Sequence, residues 1–123
     1  MIVCRGLRGA TTASENTPRA IYAATREMLT CLIQANHIEE RDVAAAYFTM
    51  SPDLNAGFPA AAARQLGWNH TALMCASEIA VPDSLPRCIR VLILWNTDRE
   101  PHQLVNVYLN GTEVLRLQGI ETN

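Results

Sequence analysis

Apolar residues along the chain recur at two spacings, one typical of β-strands and one typical of an α-helix. The longest β-like stretch is Cys88–Thr97, which is rich in branched and aromatic residues and is bounded by Pro86 and Asp98. Its apolar residues fall on both alternating faces, which predicts a central strand covered on both sides. Similar composition predicts further strands at residues 2–4, 43–50 and 71–75.

Helical spacing occurs in two places. Thr17 followed by Pro18 predicts an N-cap and a proline at the first helical position. The apolar residues that follow share one helical face: Ile21, Met28, Leu29, Leu32 and Ile33. We therefore predict a helix of about five turns that ends near Asn36. Pro59 predicts the start of a short helix through Leu66, and Gly67 its end.

The C-terminal part has the pattern of a β-hairpin, because Asn110-Gly111 lies between β-like residues 105–109 and 112–115. We expect the polar tail at 118–123 to be loose unless a ligand or neighbour orders it. The predicted fold is a single domain over residues 1–123 of the α/β or α+β class. In it, one long and one short helix pack on one side of a mixed β-sheet. One long helix cannot cover about five strands, so we expect a partner subunit on the other face.

Composition and charge exclude several functional classes. Of 123 residues, 49% are hydrophobic and 18% are charged, as in an ordinary globular domain. The net charge of -2 and a pI near 5.9 do not favour binding to nucleic acid or to an anionic membrane. All ten basic residues are arginine, which binds planar carboxylates at two points better than lysine does. A bound anion would therefore be held by a few placed arginines.

The chain also lacks patterns for membrane insertion, export or metal binding. Its longest apolar runs, at 43–48 and 91–95, are far shorter than the roughly 20 residues that span a bilayer. Arg5 and Arg8 near the N-terminus do not fit a signal peptide. The histidines are scattered, and so are the cysteines at positions 4, 31, 75 and 88. We predict a cytoplasmic protein with reduced thiols, no metal and no cofactor.

Arg90 lies near the start of the predicted central strand, where a charge is costly unless an anion meets it. Two explanations stay open, a structural partner such as Glu78, Asp83 or Asp98, and an anionic ligand. Other residues are individually ambiguous, since lone arginines are commonly solvated and lone apolar side chains commonly belong to a core. These further candidates are Arg8, Arg64, Arg116, Tyr108, Phe58, Leu115 and Cys75.

Taken in order, these segments resemble the monofunctional, trimeric α/β class of chorismate mutase, the Bacillus type, which is distinct from the all-helical class. The matching segments are R-G-L-R-G-A-T-T at 5–12, P-D-L at 52–54, F-P-A at 58–60 with Arg64, Cys75 with Glu78, C-I-R-V at 88–91, V-Y-L at 107–109 and L-R at 115–116. The resemblance covers nearly the whole chain with its spacings maintained. R-G-x-R-G-A-T-T and C-I-R-V together are quite specific.

The resemblance implies a homotrimer whose sheets form a pseudo-barrel, with active sites between subunits. It implies rearrangement of chorismate to prephenate for phenylalanine and tyrosine synthesis, without covalent or metal catalysis. Arg90 would face the ether oxygen of the substrate, and Glu78 would accept a hydrogen bond from its ring hydroxyl. The implied substrate-binding residues are Arg8, Cys75, Tyr108, Phe58, Ala60, Arg64, Leu115 and Arg116. Residues 58–64 of a neighbouring subunit would meet Arg8 and Arg90.

Two positions depart from the family pattern. Ala61 stands where a lysine is familiar, which predicts a weaker electrostatic attraction of the substrate. Arg64 and Arg116 would share this attraction. Met74 stands where a threonine is familiar. Two other functions stay open, a trimeric imine or enamine deaminase of related architecture, and a non-catalytic module that binds aromatic amino acids.

Overall fold

A five-stranded mixed sheet carries one long and one short helix, as the sequence predicts. The computed structural model describes residues 1–116. Its elements are β1 Val3–Thr12, α1 Pro18–Asn36, β2 Val43–Met50, α2 Ala60–Gln65, β3 Ala72–Ser77, β4 Cys88–Thr97 and β5 Val107–Tyr108. Two short 3-10 helices are Glu40–Asp42 and Pro101–Gln103. Among the described residues, no helix combines the length and apolar character needed to cross a bilayer.

Strand β4 is the middle strand in the order β3-β2-β4-β1-β5, and it pairs antiparallel with β1 and β2. The central position is confirmed, but cover on both sides is wrong for a single chain. Ile89, Val91 and Ile93 are buried on one face, whereas Arg90 and Leu92 on the other face are exposed. The apolar residues of that second face have no covering layer within residues 1–116.

Strand β1 extends through Thr12, well beyond the predicted residues 2–4. A ten-residue ladder with β4 keeps it extended, from Val3 opposite Thr97 to Thr12 opposite Cys88. Gly9 explains how this strand lies so close to helix α1. A Cβ atom at Gly9 would come within 2.6 Å of Leu32 Cδ1, so any side chain there would force the helix side chain to move.

Helix α1 has the predicted start and end. The Thr17 hydroxyl accepts a hydrogen bond from the Ala20 amide at 3.2 Å, and His37 ends the helix in the left-handed conformation at φ 58°. The buried Asn36 side chain then holds the segment before β5. Its amide nitrogen donates to the Val105 carbonyl and its oxygen accepts from the Val105 amide, both at 2.9 Å.

The predicted C-terminal hairpin is wrong. Asn110 and Gly111 do form a turn with positive φ angles of 54° and 87°, but residues 113–116 after it are helical. Strand β5 pairs in parallel with β1, and among the described residues it does not pair with 112–116. The buried Thr112 hydroxyl bonds to the carbonyls of Leu109, at 2.7 Å, and Ala10, at 3.2 Å. These bonds turn the chain before it can run back as a strand. The predicted loose tail at 118–123 lies outside the described residues.

Candidate active site

The uncovered face of the sheet contains a cavity of about 340 Å³ next to the middle of β4. Five of the predicted site residues line it: Arg8, Glu78, Arg90, Tyr108 and Leu115. They come from β1, from the end of β3, from β4, from β5 and from the helical residues 113–116. Residues far apart in sequence therefore meet because the strand order places β4 and β1 between β2 and β5.

Arg90 and Glu78 form an ion pair in this cavity. The Nε–H of Arg90 donates to Oε2 of Glu78 at 2.6 Å, and Nη2 lies 2.6 Å from the same oxygen. The side chain of Arg90 is 47% exposed and that of Glu78 is 22% exposed, so the pair is accessible from the cavity. Of the three structural partners open for Arg90, the structure selects Glu78, and it leaves the pair facing a space that can hold a ligand.

This contact holds both groups in their charged forms. The hydrogen bond from Arg90 lowers the pKa of Glu78 below its ordinary value of 4.5, although partial burial works in the opposite direction. A hydrogen bond from Thr49 lowers the pKa of Glu78 further. The carboxylate in turn raises the pKa of Arg90. At neutral pH the cavity therefore contains a fixed cation beside a fixed anion.

The pair also keeps hydrogen-bonding capacity for a ligand. A guanidinium has five N–H donors, of which the Nε hydrogen is bonded to Glu78 while Nη2 lies beside the same carboxylate oxygen. Within residues 1–116, Nη1 of Arg90 and Oε1 of Glu78 have no hydrogen-bond partner. The cavity can thus offer donors to an anionic oxygen and an acceptor to a hydroxyl.

The backbone around the pair is fixed at both strand ends. The Glu78 amide donates to the Met50 carbonyl at 2.8 Å, which continues the pairing of β2 with β3 for one more residue. At the start of β4, the Ser51 hydroxyl accepts from the Cys88 amide at 2.8 Å. Asp53 accepts from the Arg87 amide at 2.9 Å. The P-D-L segment therefore anchors the strand that carries Arg90.

Tyr47 and Thr49 of β2 also line the cavity, and the sequence interpretation missed both. Alternation along β2 places them on one face, which is a recognisable pattern. Which face meets Arg90 depends on the register, in which Thr49 pairs with Arg90 and Tyr47 with Leu92. That register is not readable from a single strand.

The remaining predicted residues lie elsewhere on the chain. Phe58, which is 70% exposed, and Cys75 line a second cavity of about 400 Å³ beside β3. Ala60 and Arg64 lie on α2, and Arg64 is exposed. Arg116 is exposed at the end of the described chain. One chain therefore brings together the charged half of the predicted site and leaves the Phe58 half apart.

The ion pair also borders a third cavity, of about 480 Å³, that lies under segment 79–85. Leu115 lines both this cavity and the first one, as do Glu78 and Arg90. Within the described part of the chain, no group of three or more His, Cys, Asp and Glu side chains is placed to hold a metal ion.

Comparison with known proteins gives one consistent result. The family model for chorismate mutase type I matches residues 4–118. The chorismate mutase AroH of Thermus thermophilus is 50% identical over 115 residues, which cover 93% of each chain. That of Bacillus subtilis (strain 168) is 39% identical over 116 residues, covering 94% of this chain and 91% of that one. A solved chorismate mutase from Clostridium thermocellum superposes with a TM-score of 0.88 at 48% identity, covering 89% of this chain and 98% of that one.

Proposed function

The chain belongs to the type I chorismate mutase family, and from this premise we propose that it rearranges chorismate to prephenate. The observation that carries the proposal is the Arg90–Glu78 pair, with N–O distances of 2.6 Å, at the edge of a cavity large enough for a small ligand. This reaction would serve the synthesis of phenylalanine and tyrosine.

The demands of the reaction match a fixed cation. Chorismate has two carboxylates, a ring hydroxyl and an enol-ether oxygen. Cleavage of the carbon–oxygen bond runs ahead of carbon–carbon bond formation, so negative charge develops on the ether oxygen. A guanidinium held at that oxygen stabilises the transition state more than the ground state. Arg90 supplies such a cation, since Glu78 fixes its position without using all of its donors.

The other residues of the cavity orient the substrate. We assign to Oε1 of Glu78 the role of accepting a hydrogen bond from the ring hydroxyl. Arg8 and Tyr108 would bind carboxylates, and Leu115 would form part of the wall. By holding the enol-pyruvyl arm over the ring in a reactive geometry, these residues would lower the activation barrier of the rearrangement. None of these roles requires a proton transfer or a covalent intermediate.

We further propose a homotrimer in which each active site lies between two subunits. Three large apolar side chains on the uncovered sheet face support this, namely Tyr47, Met74 and Leu92, which are 41%, 61% and 39% exposed. They form one row across β3, β2 and β4. In a ring of head-to-tail contacts, the Phe58 half of one copy can complete the cavity of the next. Phe58, Ala60 and Cys75 would then be walls for a substrate held by a neighbouring copy.

The exposed arginines at the rim have a separate proposed role. Arg64 and Arg116 would attract the doubly charged substrate toward the site. They would do so in place of the lysine that Ala61 replaces. We also propose a cytoplasmic location, which the four free cysteines support. Fractionation of the producing cells would test that location.

One assay tests the proposed function. Purified protein is mixed with chorismate, with no metal or cofactor added, and the loss of chorismate absorbance is followed together with formation of prephenate. We expect turnover. Unchanged chorismate would overturn the proposal. Release of ammonia from amino-acid-derived imines would then indicate a deaminase, and calorimetric binding of phenylalanine or tyrosine without turnover would indicate a binding module.

A further inference from the structure

Thr49 contacts the ion pair from the strand next to Arg90. It lies on β2 directly opposite Arg90 in the antiparallel register. Its hydroxyl donates a hydrogen bond to Oε2 of Glu78, the same oxygen that accepts the Arg90 Nε hydrogen bond and lies 2.6 Å from Arg90 Nη2. Thr49 also lines the cavity, where it is partly buried.

Two hydrogen-bond donors and the charged Nη2 group of Arg90 therefore meet at one carboxylate oxygen. An arginine and a carboxylate commonly pair in a two-point arrangement that uses both oxygens. The terminal torsion of a glutamate is broad, so Arg90 alone does not decide which oxygen faces the cavity. A hydroxyl fixed on Oε2 favours the one-oxygen arrangement and leaves Oε1 without a partner among residues 1–116.

Thr49 is suited to fix this arrangement. Its branched side chain has few accessible rotamers, and its backbone belongs to a strand paired on both sides, with β3 and with β4. The Glu78 backbone is held by the next residue of that strand, since its amide donates to the Met50 carbonyl at 2.8 Å. Strand β2 therefore holds Glu78 at both its backbone amide and its carboxylate.

We propose that Thr49 is a positioning residue for the rearrangement. By holding Oε2 of Glu78, it keeps Oε1 free for the ring hydroxyl of the substrate and keeps the Arg90 guanidinium in one orientation. This inference rests on the proposed function, because the hydroxyl and the ether oxygen belong to chorismate.

Thr49→Val tests the role, since valine retains the branched shape and removes only the hydroxyl. We expect kcat to fall about tenfold with a smaller change in KM, as for loss of one hydrogen bond to a charged group. Thr49→Ser should recover most of the activity. Thr97→Val is the matched control, because within residues 1–116 the Thr97 hydroxyl on β4 accepts a hydrogen bond only from the Arg99 amide, at 3.2 Å, and does not line the cavity.

A double variant separates positioning from general loss of structure. If Thr49 acts through Glu78, adding Thr49→Val to Glu78→Gln should lower kcat by less than about twofold further. Losses that multiply independently would overturn the proposal. So would a Thr49→Val variant with the full kcat of the unmodified chain.

The free protein provides a readout that does not depend on turnover. Carboxyl NMR titration should give a higher pKa for Glu78 in Thr49→Val than in the unmodified chain, and no change in Thr49→Ser or Thr97→Val. An unchanged pKa in Thr49→Val would overturn the contact. An unmodified chain that leaves chorismate intact would instead overturn the proposed function, and the catalytic role of Thr49 with it.

Discussion

The two halves of the predicted site differ in how far one chain completes them. In the Arg90 half, opposite charges meet at 2.6 Å and the partners are fixed by the sheet. In the Phe58 half, the side chain of Phe58 is 70% exposed. Arg90 is partly buried on its strand, and a partly buried charge is stabilised by a counter-ion within the same chain. An apolar side chain that stays exposed until another copy covers it costs much less free energy.

Arg90→Ala should have the largest effect, because it removes the cation from the half that one chain completes. We expect kcat to fall about a hundredfold or more, which corresponds to roughly 3 kcal/mol. Arg90→Lys should also have a low kcat, since one ammonium group cannot reproduce the planar, two-point geometry of a guanidinium. Steady-state turnover of chorismate measures both.

The matched control for this substitution is Arg41→Ala. Arg41 pairs with Glu39 at 2.9 Å on the surface, and its side chain is 82% exposed. Its loss should leave turnover and stability nearly unchanged. A folded Arg90→Ala variant with near-normal kcat would remove Arg90 from the mechanism.

Mixing two inactive variants tests whether the halves belong to different copies. Arg90→Ala damages one half, and Phe58→Asp places a negative charge against the substrate in the other. The two variants are unfolded together in equal amounts and refolded. About a quarter of the interfaces should then join an intact Arg90 half of one copy to an intact Phe58 half of another, so about a quarter of the unmodified activity should return.

Each variant refolded alone is the control for the mixing experiment, and its size is measured by sedimentation. Recovery requires that both variants assemble like the unmodified chain. Mixed trimers of normal size with no activity would show that each copy forms its site by itself.

Glu78→Gln should have a smaller effect on turnover, about tenfold, since the amide still offers an oxygen but no charge. Its effect on stability should depend on pH. The folded-state pKa of Glu78 is lowered, chiefly by the Arg90 hydrogen bond, so the ionised group stabilises the fold above its unfolded pKa, near 4.5. That advantage disappears as the pH falls through the lower folded-state pKa.

Urea unfolding of both chains at about pH 7 and about pH 3 measures this difference. The free energy of unfolding of the unmodified chain should exceed that of Glu78→Gln at the higher pH and approach it at the lower pH. An advantage that grew on acidification would show that Glu78 is not stabilised in its ionised form.

Arg64→Ala and Arg116→Ala should have the smallest effects. Both side chains are exposed, so we expect a two- to threefold fall in kcat/KM, roughly, at low salt, and almost none at about 0.5 M salt. The value of kcat should not change. A loss that persisted at high salt would indicate a direct contact with the substrate.

The sequence predicted those parts of the fold that local patterns determine. Thr17 and Pro18 start α1, and Cys88–Thr97 is the central strand. Asn110-Gly111 was correctly assigned to a turn, but the hairpin was wrong because β5 pairs with β1, about a hundred residues away in the chain. Such pairing depends on which strand edge is left free, and no local pattern contains that information.

The site was predictable to a similar degree. Arg90 could be identified from the cost of its charge and from the resemblance to a family. The choice of Glu78 among three possible partners, and the contact with Thr49, follow from strand register. Cys75 and Glu78 line different cavities, although only three positions separate them in the sequence. Both features require the three-dimensional pairing.

Gly9 has a consequence for the evolution of this chain. Helix α1 presses against β1 at this residue, with Leu32 Cδ1 only 2.6 Å from where a Cβ atom would lie, and the adjacent Arg8 projects to the opposite side. A single layer of backbone therefore separates the hydrophobic core from the cavity that Arg8 lines. We expect a bulkier side chain on the helix to displace β1 toward the cavity, so mutations that do not contact the substrate can change the reaction rate.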